Sequence, residues 1–188
     1  MSVLVVFATV EGQTGKIAQF AEKEMRSAGH EVTLFDAAQK AAPISFKGVD
    51  KVILAGSVHE RRHPETFEVF LAAHRHALRE CDTLLLSVSL SAAFPEGLDE
   101  AQEYVIEMEM RTNFKPDKEA LVAGAVRSRN YDYFASQVMR HVVLRGRDYD
   151  LSEGEHEFTD WKMLAATLSE FVGAGAGSST ATKRTKAK

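Results

Sequence analysis

Val3-Leu4-Val5-Val6-Phe7-Ala8-Thr9-Val10-Glu11-Gly12-Gln13-Thr14 is the stretch on which the fold turns. From Val3 to Phe7 every side chain is apolar, with no polar alternation. That is the pattern of a strand buried on both faces of a parallel sheet. Just beyond, Ile17, Ala21, Met25 and Ala28 recur at helical spacing and Gly29 closes the segment. A helix from about residue 13 to 28 follows from that spacing. A buried strand that passes through a short loop straight into a helix is the start of a βαβ unit.

The loop between them, Thr9-Val10-Glu11-Gly12-Gln13-Thr14, carries the first chemical signal. Two threonine hydroxyls can donate to phosphate oxygens. Gly12 permits a tight turn that presents backbone N–H groups. The helix directs its positive end at the same point. Lys16 falls one turn further on, away from direct contact. The dinucleotide pattern G-x-G-x-x-G is absent, since only Gly12 and Gly15 are present, and so is the G-K-[ST] of nucleotide-triphosphate loops. Asp36 therefore reads as a loop or capping residue rather than a ribose ligand.

Working outward, Val32-Thr33-Leu34-Phe35, Val52-Ile53-Leu54-Ala55 and Leu84-Leu85-Leu86-Ser87-Val88 read as strands two to four. The fifth runs from Ala120 to Val126. Pro64 marks the first turn of a helix reaching about Arg79. Further helices fit residues 96–113, 131–145 and 160–172, the last with Thr159 as N-cap. Strands and helices alternate, which implies right-handed crossovers on a parallel sheet. The expected architecture is α/β: a doubly wound five-stranded parallel sheet of order 2-1-3-4-5 with helices on both faces. Ligands in such sheets bind beyond the carboxyl ends of the strands, where the winding reverses.

The chain has 188 residues, 45% of them hydrophobic, enough for one domain with a full core. Cys81 is the sole cysteine, which excludes an intrachain disulfide or a cysteine metal cluster and suits a reducing, cytoplasmic setting. No apolar run approaches the roughly 20 residues needed to span a bilayer. The first residues lack the pattern of a signal peptide. A net charge of −4 speaks against nucleic-acid binding. Lys183, Arg184, Lys186 and Lys188 lie in the last stretch, with no acid there. Residues 173–188 read as a disordered basic tail, leaving residues 1–172 as the domain.

Several segments together resemble a known family. Residues 7–14 look like the flavodoxin phosphate-binding signature. Gly56-Ser57-Val58 with Arg61, Arg62 and His63, then Ser87-Val88-Ser89-Leu90, resemble the second and third flavin loops of the menaquinone-dependent protoporphyrinogen IX dehydrogenases. Phe114-Lys115-Pro116-Asp117, Ala123-Gly124-Ala125-Val126-Arg127, Tyr131 and Phe158-Thr159-Asp160-Trp161 continue the resemblance in order. It covers roughly residues 3–172. The resemblance implies a flavodoxin-like fold, FMN as cofactor, and oxidation of protoporphyrinogen IX to protoporphyrin IX with a respiratory quinone as acceptor, a step of heme biosynthesis. The alternatives are a flavodoxin-type electron carrier or an FMN quinone reductase with another substrate.

Carried onto this chain, the resemblance places Thr9, Val10, Glu11, Gly12, Gln13 and Thr14 around the phosphate. Ser57, Val58 and His59 would lie against the isoalloxazine, and Ser87, Val88, Ser89 and Leu90 at its pyrimidine end. His59 and Glu60 stand where an aromatic-containing loop is expected, and Phe94 is open to a role as ring cap or as loop filling. His59 and His63 are the candidates for proton handling. His74 and His76 face different ways on a helix and read as solvated, so no metal site is expected. Segment 127–147 is rich in arginine, interleaved with apolar residues. It could rest on the inner face of the cytoplasmic membrane, or Arg127 and Arg129 could pair with substrate propionates. A core helix with a solvated basic face is the plain alternative.

Overall fold

The computed structural model describes residues 1–39, 43–127 and 155–173. The expected tail, the helix at 131–145, Arg129 and the basic segment beyond Arg127 lie outside the described residues. Five parallel strands form the main sheet: β1 (Ser2–Ala8), β2 (Glu31–Asp36), β3 (Lys51–Ser57), β4 (Asp82–Ser89) and β5 (Lys118–Ala123). Their order is β2-β1-β3-β4-β5, as the alternation of elements implies. All four pairings are parallel, with Val5 opposite Leu34 on one side and Ile53 on the other. The chain winds one way from β1 to β2 and the other way from β3 onward. A crevice therefore opens between the carboxyl ends of β1 and β3.

Helices α1 (Gln13–Ser27) and α4 (Trp161–Gly173) cover one face, and α2 (Glu65–Leu78) and α3 (Leu98–Thr112) the other. Successive strand residues point to opposite faces, so each strand feeds two cores. Val3, Val5, Ile53, Leu84 and Leu86 pack with Ile17, Ala21, Met25, Leu164 and Leu168. Leu4, Val6, Val52, Leu54 and Leu85 pack with Phe67, Leu71, Val105, Met108 and Phe114. Each fully buried large side chain contributes about 1.5–3 kcal/mol. That is why the central strands carry no polar alternation.

Local corrections follow from the tertiary structure. Strand five stops at Ala123 instead of continuing to Val126. Gly124 donates its N–H to the Ser89 carbonyl at 3.0 Å, and the chain then departs from the sheet. Residues Ala125–Arg127 form β6, antiparallel to β7 (Glu155–Glu157), a pairing with no counterpart in the sequence reading. Pro64 is the N-cap of α2, with ψ 140°, rather than its first helical residue. Thr159 does not cap α4: its hydroxyl donates to the Ala123 carbonyl at 2.7 Å, and Asp160 Oδ1 accepts the Met163 N–H at 2.8 Å in its place. Asp36 is not a loop residue: it ends β2, opposite Phe7, and its Oδ1 accepts the Ala38 N–H at 2.9 Å to close the turn that follows.

His74 also departs from the solvated reading. It is half-buried, its ring 4.6 Å from Phe70 and 5.4 Å from Phe46, and burial holds its pKa below the ordinary value. Cys81 is buried, and burial first, with three nearby acids, raises its thiol pKa. No group of His, Cys, Asp and Glu among the described residues is arranged to hold a metal ion. No helix among them is long and apolar enough to cross a membrane.

Candidate functional site

Three loops leave the carboxyl ends of β1, β3 and β4, and the sheet order brings them together. In the first, residues 9–14, Gly12 sits at φ 90°, a conformation that glycine adopts without steric cost. Its N–H donates to Thr9 Oγ1 at 2.8 Å, which closes the turn. The first intrahelical bond of α1 runs from the Lys16 N–H to the Gly12 carbonyl at 3.1 Å. The N–H groups of Gln13, Thr14 and Gly15 therefore precede any intrahelical acceptor. No side chain caps this helix end, and its first turn holds no acid. Converging N–H donors, the positive helix end and the absence of competing carboxylate fit a dianionic phosphate.

The side chains around that turn are not all aimed at a ligand. Gln13 is buried, and its Nε2 donates to Glu157 Oε2 and Thr159 Oγ1, each at 2.9 Å. Its contribution to an anion is thus its backbone N–H. Lys16 Nζ lies 3.7 Å from Glu157 Oε2, one turn up the helix as expected. Val10 is 54% exposed at the loop tip. Glu11 reaches across to the second loop, with its Oε1 3.7 Å from His59 Nε2.

The second loop leaves β3 at Ser57. Ser57 Oγ is buried and has no hydrogen-bond partner among the described residues. A buried hydroxyl without a partner is costly, and its place at a strand carboxyl end fits a polar ligand edge. Val58 donates its N–H to the Val88 carbonyl at 2.7 Å, which fastens this loop to β4. Residues 59–62 then form a tight hairpin turn, with His59 and Arg62 exchanging both N–H···O bonds at 3.0 Å. The two central residues, Glu60 at φ 50° and Arg61 at φ 65°, both lie in the left-handed region. Turns of this shape favour Asn-Gly. Holding two larger residues there costs about 1–3 kcal/mol each, so other contacts must supply the difference. The Arg61 guanidinium is hydrogen-bonded to Glu100 and lies 5.5 Å from the Tyr104 ring centroid. Arg62 donates to Glu68 Oε2 from Nε at 3.2 Å and from Nη2 at 2.7 Å.

The two histidines of this loop have opposite surroundings. His59 is 44% exposed at the rim. His63 is 1% exposed, and its Nε2 lies 3.1 Å from Ser87 Oγ while Nδ1 has no partner among the described residues. It stacks on Phe67 at 6.0 Å, beneath Gly56. Burial pushes its pKa down to about 4, against a smaller upward pull from Glu68, so the ring is neutral near pH 7. His63 is therefore a buried, neutral partner of β4, joined to it through Ser87. His59 alone of the pair faces solvent.

In the third loop, Ser87 and Val88 lie within the β3–β4–β5 ladder and are buried. The Ser89 hydroxyl accepts the Ala92 N–H at 3.1 Å, and its carbonyl accepts the Gly124 N–H. Leu90, just past the strand, leads into the short 3-10 turn Ser91–Ala93. Phe94 packs edge-on against Phe158, with centroids 5.4 Å apart. That contact joins the third loop to the segment following β7. Arg127 lies on β6.

Sequence reading singled out neither Glu68 nor Arg111. Glu68 is 7% exposed on its side chain and accepts from Arg62 and from Arg111, whose Nε is 3.0 Å from Oε1. Burial raises its pKa, but the two arginine hydrogen bonds outweigh that and hold it below the ordinary carboxylate value. Nothing local announces this group: Arg62 and Glu68 are six residues apart, and Arg111 comes from another helix.

A family model described as a flavodoxin domain matches residues 4–151. The protoporphyrinogen IX dehydrogenase (quinone) of Escherichia coli strain K12 is 25% identical over 167 residues, spanning 88% of this chain and 91% of that protein. The protein of the same description from Escherichia coli O157:H7 matches equally. Among solved structures, a short-chain flavodoxin associated with a non-canonical PDU bacterial microcompartment superposes with a TM-score of 0.56 at 11% identity, covering 93% of this chain and 98% of that one. Oxidised flavodoxin 1 from Bacillus cereus gives 0.51 at 16% identity, covering 92% and 98%. At such identities these two report on the fold.

Proposed function

Because this chain belongs to the flavodoxin domain family, whose cofactor is FMN, we propose that it is an FMN-dependent oxidoreductase that oxidises protoporphyrinogen IX with a respiratory quinone as acceptor. The observation that carries the substrate is the 25% identity to the Escherichia coli dehydrogenase, which extends over 88% of this chain and 91% of that protein. The open helix end at Gln13, Thr14 and Gly15, and the unsatisfied Ser57 hydroxyl, support the cofactor.

Bound FMN supplies reversible electron transfer at its isoalloxazine ring. The chain's own residues bind and orient. The α1 end and the hydroxyls of Thr9 and Thr14 hold the phosphate, and Ser57 Oγ donates to the ring edge. The 59–62 hairpin forms one wall. His59, on the solvent side, is positioned to pass protons between the site and water. Arg127 and Arg129 are proposed to pair with substrate carboxylates, and segment 131–147 to meet the membrane surface where quinone resides. On this reading residues 1–172 form the FMN-binding domain.

The test is anaerobic turnover. The protein is reconstituted with FMN, bound flavin is quantified by its visible absorption, and porphyrin fluorescence is followed after protoporphyrinogen IX and a menaquinone analogue are added. Quinone-dependent porphyrin formation is expected. A fully flavin-loaded protein that produces none refutes the dehydrogenase reading and leaves an electron carrier.

A further inference from the structure

The 59–62 hairpin holds two non-glycine residues in the left-handed region, and side chains from two different helices grip it. From α3, Glu100 pairs with Arg61, and Tyr104 lies under the same guanidinium. From α2, Glu68 takes Arg62 at 2.7 Å and is itself held by Arg111 of α3 at 2.9 Å. Arg111 is braced in turn by Glu107 at 3.1 Å. Glu68 is the hub: its side chain is 7% exposed, against 56% for Arg62 and 31% for Arg111. A carboxylate withdrawn from water and saturated by two arginines has a fixed position, and it fixes both partners in turn.

We propose that Glu68 is a positioning residue for the cofactor: by clamping Arg62 to α2 and α3, it holds the strained 59–62 turn in the one shape that forms the flavin wall. Without the clamp, Glu60 and Arg61 relax toward negative φ, the paired bonds between His59 and Arg62 open, and Ser57 and Val58 lose their fixed approach to the ring. The inference rests on the FMN reading for its consequence. The clamp itself is a property of the protein without cofactor, so the two are tested separately.

The first measurement is amide hydrogen exchange in the FMN-free full chain, comparing Glu68→Gln with the parent. Glu68→Gln keeps the shape of the side chain and removes its charge. Exchange at the His59 and Arg62 amides is expected to rise about tenfold or more, with the amides of Leu54 and Leu85 unchanged. The second is FMN titration by flavin fluorescence, where the dissociation constant is expected to rise about tenfold. The third is rescue. Glu60→Gly places glycine at φ 50°, so the double variant Glu68→Gln/Glu60→Gly needs less clamping and is expected to regain most of the lost affinity. A merely structural role for Glu68 is not repaired by a glycine in the turn. Should Glu68→Gln fail to fold, Arg62→Met carries the same tests, because that side chain lies largely in solvent.

Unchanged exchange at His59 and Arg62, or a double variant no better than Glu68→Gln, overturns the proposal. If the parent binds no FMN, the cofactor reading fails while the exchange result still decides the clamp.

Discussion

Acidification from pH 7 to pH 5 costs this protein stability chiefly through the buried side chain of His63. The ring is buried against Phe67 and Ser87, and its pKa is pushed down to about 4. In the unfolded chain it returns to about 6.5. Between those values the unfolded state binds a proton that the folded state refuses, so stability rises with pH across the window. The contribution is complete above pH 6.5 and is lost progressively as pH falls toward 4. With those two values the loss is about 2 kcal/mol at pH 5 and about 3 kcal/mol once pH has passed 4. Glu68 and Glu100, both held below the ordinary carboxylate value, lose their contributions only at lower pH, which leaves the upper window clear of them. Burial holds the pKa of His74 below the ordinary value as well, so the measurement is a difference between proteins. Urea unfolding at pH 7, 6 and 5 is compared for the parent and His63→Gln. The parent is expected to lose about 2 kcal/mol more than the variant between pH 7 and 5. Direct titration of the His63 ring protons by NMR is expected to give a midpoint near 4. Equal pH slopes in the two proteins, or a midpoint near 6.5, would refute the reasoning.

Two further expectations come from the same end of the sheet. In Gly56→Ala the new Cβ would stand 2.6 Å from a Phe67 ring carbon and 2.9 Å from His63 Cδ2. Neither ring can withdraw from the packed core, so a loss of about 1–3 kcal/mol in urea unfolding is expected; a neutral result would show that the α2 face yields more easily than its packing implies. Thr14→Val preserves volume at a buried position in the first turn of α1 but removes the hydroxyl offered to phosphate. FMN affinity should fall about tenfold, the worth of one hydrogen bond to a charged group, and calorimetric titration showing unchanged affinity would remove Thr14 from the site.

The sheet and the glycine turn leading into α1 were legible because their signals are local. Val3 to Phe7 are apolar because β1 is covered on both sides, and periodic spacing from Ile17 to Met25 marks the buried stripe of α1. Glycine at position 12 is required by a φ of 90°, a constraint visible in the residue itself. The alternation of such elements then allows few topologies.

What the sequence could not say concerns contacts between residues far apart along the chain. Ala120 to Val126 reads as one strand, and only the Gly124 bond to Ser89 and the pairing of β6 with β7 split it in two. Thr159 looks like a helix cap, yet the neighbouring carbonyl of Ala123 takes its proton and Gln13 takes its lone pair. His63 reads as an ordinary loop histidine, and only its burial against Phe67 and Ser87 holds it neutral near pH 7. Glu68 is one acid among 27 until Arg62 and Arg111 close on it. Local patterning determined the main strands and helices and their winding, because backbone geometry and hydrophobic period act over a few residues. Which polar groups are spent within the protein and which remain for a ligand was decided by the tertiary structure alone, because burial and hydrogen-bond partnership exist only once distant segments meet.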